Sequence, residues 1–267
     1  MDLEPATAGR VTSLLRLAYH GATFSDHPDP NRQEWAYSSS DGTVTTPGGV
    51  RLFLDGCEPL VLAETFLYQT HFAGPDLSGR TVLDAGAYVG DTALYYASLG
   101  AEVVSYEPNP LHFEQLQRNL GLNPELARRI RTVPEAIGPD GTFSFARTRS
   151  AEGALEEGRT GPVTVTSRSL ASVFDRAGWN ECWLAKFDIK GEEFQVAREP
   201  ALGRIERLQV EYTVSRSTGD LPLLLGLLRD RGFAIERVYK HNYLRFRLRE
   251  HGTIQARNRR SVAARAK

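Results

Sequence analysis

The stretch TVLDAGAYVGD at residues 81–91, with Glu107 ending the next apolar run, constrains this chain more than any other feature. It reads as a strand, a glycine-bearing turn and a helix, which brings backbone N–H groups against a nucleotide-like ligand. Asp84 closes the strand, and Gly86 and Gly90 follow in the pattern D-x-G-x-x-x-G. A dinucleotide turn carries G-x-G-x-x-G and leaves a helix N-terminus free for a pyrophosphate. Here Asp84 enters the turn and Asp91 leaves it, which repels phosphates and favours a ligand with a sulfonium and an ammonium. S-adenosylmethionine is such a ligand.

Glu107 lies 21 residues beyond Gly86, close to the ~20 expected when one helix intervenes. A carboxylate ending the second strand can accept both ribose hydroxyls. Pro108 and Asn109 follow it on the same rim. Glu135 and Ala136 end a third strand there and are candidates for the adenine edge; an ordinary strand-to-turn transition is the alternative.

The segment KFDIKGEE at 186–193 ends a fourth strand. Alternation sets Lys186, Asp188 and Lys190 on one side as the strand leaves the sheet. Open α/β sheets bind ligands at the carboxyl ends of their strands, so Asp188 should face donor or acceptor. Lys190 can hold an anionic acceptor or serve as a base, unless it only pairs with Asp188 or Glu193. Glu211 ends a fifth strand and is a candidate second carboxylate for the acceptor; its alternative is pairing with an arginine. The catalytic candidates are therefore Asp188, Lys190 and Glu211. The cofactor candidates are Asp84, Gly86, Ala87, Tyr88, Gly90, Asp91, Thr92, Glu107, Pro108, Asn109, Glu135, Ala136 and Asp188. No residues have metal-ligand spacing, and the six histidines are scattered and read as structural or solvated.

Elsewhere, 9–20 and 58–72 carry helical spacing, 22–42 reads as a polar loop, and 43–54 as a hairpin. Strands are expected at 81–84, 101–107, 130–136, 182–189 and 207–212, with helices at 91–99, 110–120, 169–177 and 221–232. A β excursion at 142–146 and 163–167 brackets a loop at 147–161. Residues 233–239 and 243–248 read as a closing antiparallel pair. The expected division is an N-terminal helical and hairpin cap over 1–73, a cofactor-binding domain over 74–249, and a basic tail over 250–267.

The net charge of −1 conceals an asymmetry: residues 237–267 hold ten Lys or Arg against one acid, Glu250. Such a tail can grip nucleic acid or an anionic surface, or simply be a solvated terminus. No apolar run reaches the ~20 residues of a membrane span. The opening MDLEPATAGR has no apolar core of a secretory signal, and Cys57 and Cys182 stand apart, which fits a reducing cytoplasm.

Taken together, VLDAGAYVGDTALYYA at 82–97, YEPNP at 106–110, EAIG at 135–138 and KFDIKGEEF at 186–194 resemble the FkbM-type branch of class I methyltransferases. The resemblance runs from about residue 49 to residue 239. It implies a Rossmann-like, seven-stranded, mostly parallel α/β sheet with one antiparallel strand. It also implies S-adenosylmethionine as cofactor, S-adenosylhomocysteine as product, and O-methylation of a small molecule or sugar. Residues 84–92 and Glu107 would line the donor site. The family's D-I/V-E-G-x-E carries Lys190 here in place of its middle acid, so that acid's role does not transfer, and an anionic acceptor is suggested. The expectation is a cytoplasmic enzyme of natural-product or glycan tailoring acting on a small-molecule acceptor, with no membrane or nucleic-acid partner. The N-terminal helix and hairpin are candidate homodimer elements. A non-catalytic cofactor-binding module, or a nucleic-acid or protein methyltransferase using the basic tail, are the alternatives.

Overall fold

The computed structural model describes residues 5–25, 34–146, 162–189, 191–214, 219–240 and 250–260. The chain begins with α1 (Pro5–Tyr19), four short strands β1 (Thr23–Phe24), β2 (Glu34–Ser38), β3 (Thr43–Thr45) and β4 (Arg51–Phe53), then α2 (Pro59–Phe66). The four strands form one small sheet in chain order, β1 parallel to β2 and the rest antiparallel. The hairpin is as expected, but 22–42 is not all loop, because it supplies β1 and β2. The cause is Trp35, fully buried in β2, which packs edge-on against Phe66 at 6.1 Å and beside Phe24 at 6.4 Å. One buried indole outweighs the polar residues around it.

The main sheet starts with β5 (Thr81–Ala85), α3 (Asp91–Ser98), β6 (Glu102–Tyr106), α4 (Pro110–Gly121), α5 (Pro124–Ala127) and β7 (Ile130–Val133). β8 (Ala136–Ile137), β9 (Gly141–Ala146) and β10 (Pro162–Arg168) make the side sheet expected around 147–161. Then come α6 (Leu170–Ala177), β11 (Cys182–Phe187), α7 (Glu193–Val196), a 3-10 turn, β12 (Ile205–Val214), α8 (Leu221–Asp230), β13 (Phe233–Lys240) and β14 (Glu250–Asn258). Side-chain caps start three of the helices: Asn109 accepts from Leu111 N, Ser169 from Ser172 N, and Asp220 from Leu223 N.

Seven strands pair in the order β13-β14-β12-β11-β5-β6-β7. All run parallel except β14, which is antiparallel to both β12 and β13. Two sequence expectations need correction. The third strand stops at Val133, and Ala136 belongs to β8. The partner of β13 is not 243–248, which lies outside the described residues, but Glu250–Asn258, which was read as tail. β14 hides because only Ile254 and Ala256 are strongly apolar; Gly252, Thr253 and Asn258 are buried with them.

One face of the sheet buries Leu83, Phe187, Leu208, Val210 and Tyr212 against Phe174 and Leu224. A second core joins Trp35, Leu52 and Leu62 of the N-terminal part to Ala87, Tyr88 and Val89 of the β5–α3 turn and Leu116 of α4. Asn119 adds a polar stitch: its Oδ1 accepts from Phe53 N at 2.9 Å and its Nδ2 donates to Val89 O at 2.8 Å. The described part of 1–73 therefore shares a core with the turn that this segment is expected to cap. No helix among the described residues is long and apolar enough to cross a membrane.

Candidate active site

The β5–α3 turn is held from below and from both sides. Gly86 N and Ala87 N donate to Tyr106 O at 2.9 and 3.0 Å, and Gly90 N donates to Ala87 O at 2.7 Å. These N–H groups are spent inside the protein, so the turn does not present the donor nest that a phosphate needs. Gly86 is obligatory: its φ is +80°, and a Cβ there would stand 2.0 Å from Asp188 O. Asp188 N in turn donates to Ala85 O at 3.0 Å, which carries the β11 rim alongside the turn.

Beneath the turn lies a buried charge cluster. Asp84 Oδ2 accepts from Thr92 Oγ1 at 2.9 Å and from Ser105 Oγ at 3.4 Å. Lys186 Nζ lies 3.3 Å from Asp84 Oδ1, an ion pair rather than an aligned hydrogen bond, and donates to Gly86 O at 2.9 Å. Burial opposes the charge on Lys186, yet the carboxylates of Asp84, Asp188, Asp91 and Glu211 outweigh it and hold the lysine above its ordinary value. Asp91 faces away from the turn, accepting from Thr65 Oγ1 of α2 at 2.6 Å. Burial pushes its carboxyl up to about 6, although Lys186 and Thr65 pull the other way.

Glu107 is clamped by two backbone donors, Tyr88 N to Oε2 and Asn109 N to Oε1, both at 2.8 Å. His112 Nδ1 stands 3.6 Å from Oε1, and its ring meets Tyr88 edge-on at 4.6 Å. Tyr88 holds a left-handed φ of 48°, and its hydroxyl donates to Gly56 O and accepts from Glu58 N, each at 3.2 Å. An ionised carboxylate has about four acceptor positions. Two remain on Glu107 beyond these backbone donors. Beyond it, Pro108, Pro110, Phe113, Pro134 and Val165 line a cavity of about 350 Å³.

Other candidates land differently. Glu135 turns to the arginines, with Oε2 at 3.2 Å from Arg168 Nε and 2.6 Å from Arg176 Nη1. Its carboxylate is thereby engaged away from the turn, while Ala136 stays half-buried in β8. Glu211 pairs with His251, Nε2 to Oε1 at 2.7 Å. That histidine was read as structural or solvated, and the charge of its neighbourhood gave no signal of this contact. Lys190 lies outside the described residues. Among the described residues no group of His, Cys, Asp and Glu could hold a metal ion.

A parallel sheet with one reversed strand and a glycine turn set between acids is the class I methyltransferase architecture. The methyltransferase FkbM domain matches residues 84–235, more than half of the chain. The chain belongs to the FkbM methyltransferase family, and its cofactor is S-adenosylmethionine. None of the curated proteins matches it by sequence. Among solved structures, Trm5b from Pyrococcus abyssi is 14% identical over 82% of this chain and 57% of its own, with a TM-score of 0.50. Magnesium protoporphyrin IX methyltransferase from Synechocystis PCC 6803, with bound S-adenosylmethionine, is 15% identical over 74% of this chain and 76% of its own, at 0.46. Precorrin-6y C5,15-methyltransferase from Geobacter metallireducens is 14% identical over 75% and 88%, at 0.44.

Proposed function

We propose that this methyltransferase transfers the methyl group to a hydroxyl oxygen of a small metabolite, sugar or natural product. The observation that carries the reading is the rim of carboxylates at the ends of β5, β6, β11 and β12: Asp84, Glu107, Asp188 and Glu211, with Lys186 as the buried cation among them. That excess of negative charge fits a donor bearing a sulfonium and an ammonium. Glu107 would take the ribose hydroxyls, and the cavity at Pro108 is of a size for the base beyond them. When bound, S-adenosylmethionine supplies an activated methyl on a cationic sulfur.

The chain's own task is then to hold the acceptor oxygen in line and to remove its proton. Asp188, fixed beside the turn, and Glu211, on the neighbouring strand, are the residues this reading assigns to the acceptor side. The described part of 1–73 would serve as a cap, bracing the turn through Thr65, through Gly56 against Tyr88, and through Phe53 against Asn119. The exposed stripe Val11, Leu15 and Tyr19 on α1 supports that helix as a homodimer element. Two free, buried cysteines support a reducing cytoplasm. β14 takes 250–258 into the sheet, so this part of the basic stretch belongs to the fold. The test is transfer from S-adenosyl-[methyl-³H]methionine to a panel of phenols, glycosides, amines and thiols. Label on oxygen supports the reading; label on nitrogen or sulfur alone rejects it.

A further inference from the structure

We propose that His112 is a donor-site residue, whose Nδ1 gives a hydrogen bond to the ribose hydroxyl that in turn donates to Glu107; this rests on the donor-site reading of Glu107 above. Asn109 caps α4 and Pro110 follows it, so His112 stands in the first turn of that helix. Side chains of a helix lean towards its N-terminus, and here that direction leads back to Glu107. His112 is 8% exposed, and its ring is held on three sides. It meets Tyr88 of the β5–α3 turn edge-on at 4.6 Å. Its Nε2 faces Asn109 Nδ2 at 3.4 Å, and its Nδ1 stands 3.6 Å from Glu107 Oε1. Tyr88 is itself fixed, because its N–H donates to Glu107 Oε2 and its hydroxyl donates to Gly56 O. The ring therefore packs against both the turn and the carboxylate that follows β6.

These contacts decide which nitrogen carries the proton. Asn109 Oδ1 accepts from Leu111 N at 3.0 Å in the helix cap, so the amide offers His112 its Nδ2, a donor. Nε2 is then the accepting nitrogen, and the neutral ring holds its proton on Nδ1.

Nδ1–H and Oε1 lie side by side at 3.6 Å, too far apart for a direct hydrogen bond. A gap of that length between two polar atoms is one that a single oxygen atom bridges. A hydroxyl suits it, since one O–H group donates to a carboxylate and accepts from an N–H at once. A carboxylate alone takes any donor, an ammonium included. With an N–H beside it, the pair selects a group that both gives and receives, as the hydroxyls of a ribose do. A ligand without that hydroxyl leaves both protein groups unpaired, which is how a polar site rejects a near analogue.

The test has an arm on the free protein. ¹⁵N NMR of the full chain, histidine-labelled and at pH 8, is expected to show neutral His112 protonated on Nδ1. A proton on Nε2 would overturn the proposal. The second arm is calorimetry with S-adenosylhomocysteine and with its 2′-deoxy and 3′-deoxy analogues. His112→Phe keeps a ring against Tyr88 and should weaken S-adenosylhomocysteine about 5- to 10-fold, the worth of one hydrogen bond. For one of the two deoxy analogues the same substitution should change affinity by less than about 2-fold. His112→Asn, which returns an amide N–H near the Nδ1 position, should recover most of the loss. An equal loss on all three ligands would overturn the proposal, because a ring that only packs, or only holds a water, loses the same whatever the ribose carries. Unchanged affinity of His112→Phe for S-adenosylhomocysteine would overturn it too. Failure of the parent chain to bind S-adenosylhomocysteine removes the donor-site reading and this proposal with it, whereas binding without the coupling removes only the part given to His112.

Discussion

Lys186 and Asp84 face each other across neighbouring strands, Nζ 3.3 Å from Oδ1, in register and buried from solvent. The same ammonium reaches Gly86 O at 2.9 Å. One side chain thus neutralises the acid that ends β5 and pins the turn that follows it. Truncating one member of such a pair leaves the other charge stranded at low dielectric, which costs about 3–5 kcal/mol. Lys186→Met is therefore expected to lower the unfolding free energy by that order in a urea titration. A loss under about 1 kcal/mol would mean that the pair does not brace the turn.

Asp91 makes the opposite prediction. Its folded-state pKa is about 6 against an ordinary 3.8, because burial disfavours the charged form. The folded state binds the extra proton, so this stability is fully present below pH 3.8 and is lost as pH rises through 6. Two units correspond to about 3 kcal/mol. Asp91→Asn keeps an acceptor for Thr65 and removes the titration. Its stability relative to the parent chain should rise between pH 4 and pH 7, which denaturant midpoints at the two pH values will show. A pH-independent difference would contradict the assignment.

A chain ending at residue 249 should not fold cooperatively, because β14 separates β12 from β13 and pairs with both. A chain ending at residue 260 should melt like the full length. Circular dichroism melts of the two decide the matter, and a cooperative melt of the shorter one would show that the strand is dispensable.

How far the sequence foretold this depends on the element. β5, β6 and β11 were legible because parallel strands buried on both faces read as unbroken apolar runs. The turn was legible because Gly86 and Gly90 have few substitutes at positive φ. β14 was not, since a strand of Gly, Thr, Gln and Asn set among arginines looks like tail until its partners are known. β1 and β2 were masked by the polar residues around Trp35. At the site, Asp84 and Glu107 were readable from strand ends and spacing, and both are buried beside the turn. Glu135 did not behave as expected, because Arg168 and Arg176 reach it from 33 and 41 residues away. The Glu211–His251 contact spans 40 residues for the same reason, and its geometry comes from strand register that no local pattern encodes.

The central claim is that Glu107 and the turn it clamps hold S-adenosylmethionine. Calorimetric titration with S-adenosylhomocysteine, on the parent chain and on Glu107→Ala, tests it most directly. The account predicts micromolar binding by the parent chain and a loss of about 10²-fold in the variant, since charge-assisted hydrogen bonds contribute about 1.5–3 kcal/mol each. Equal affinity in both proteins, with both folded, would contradict it.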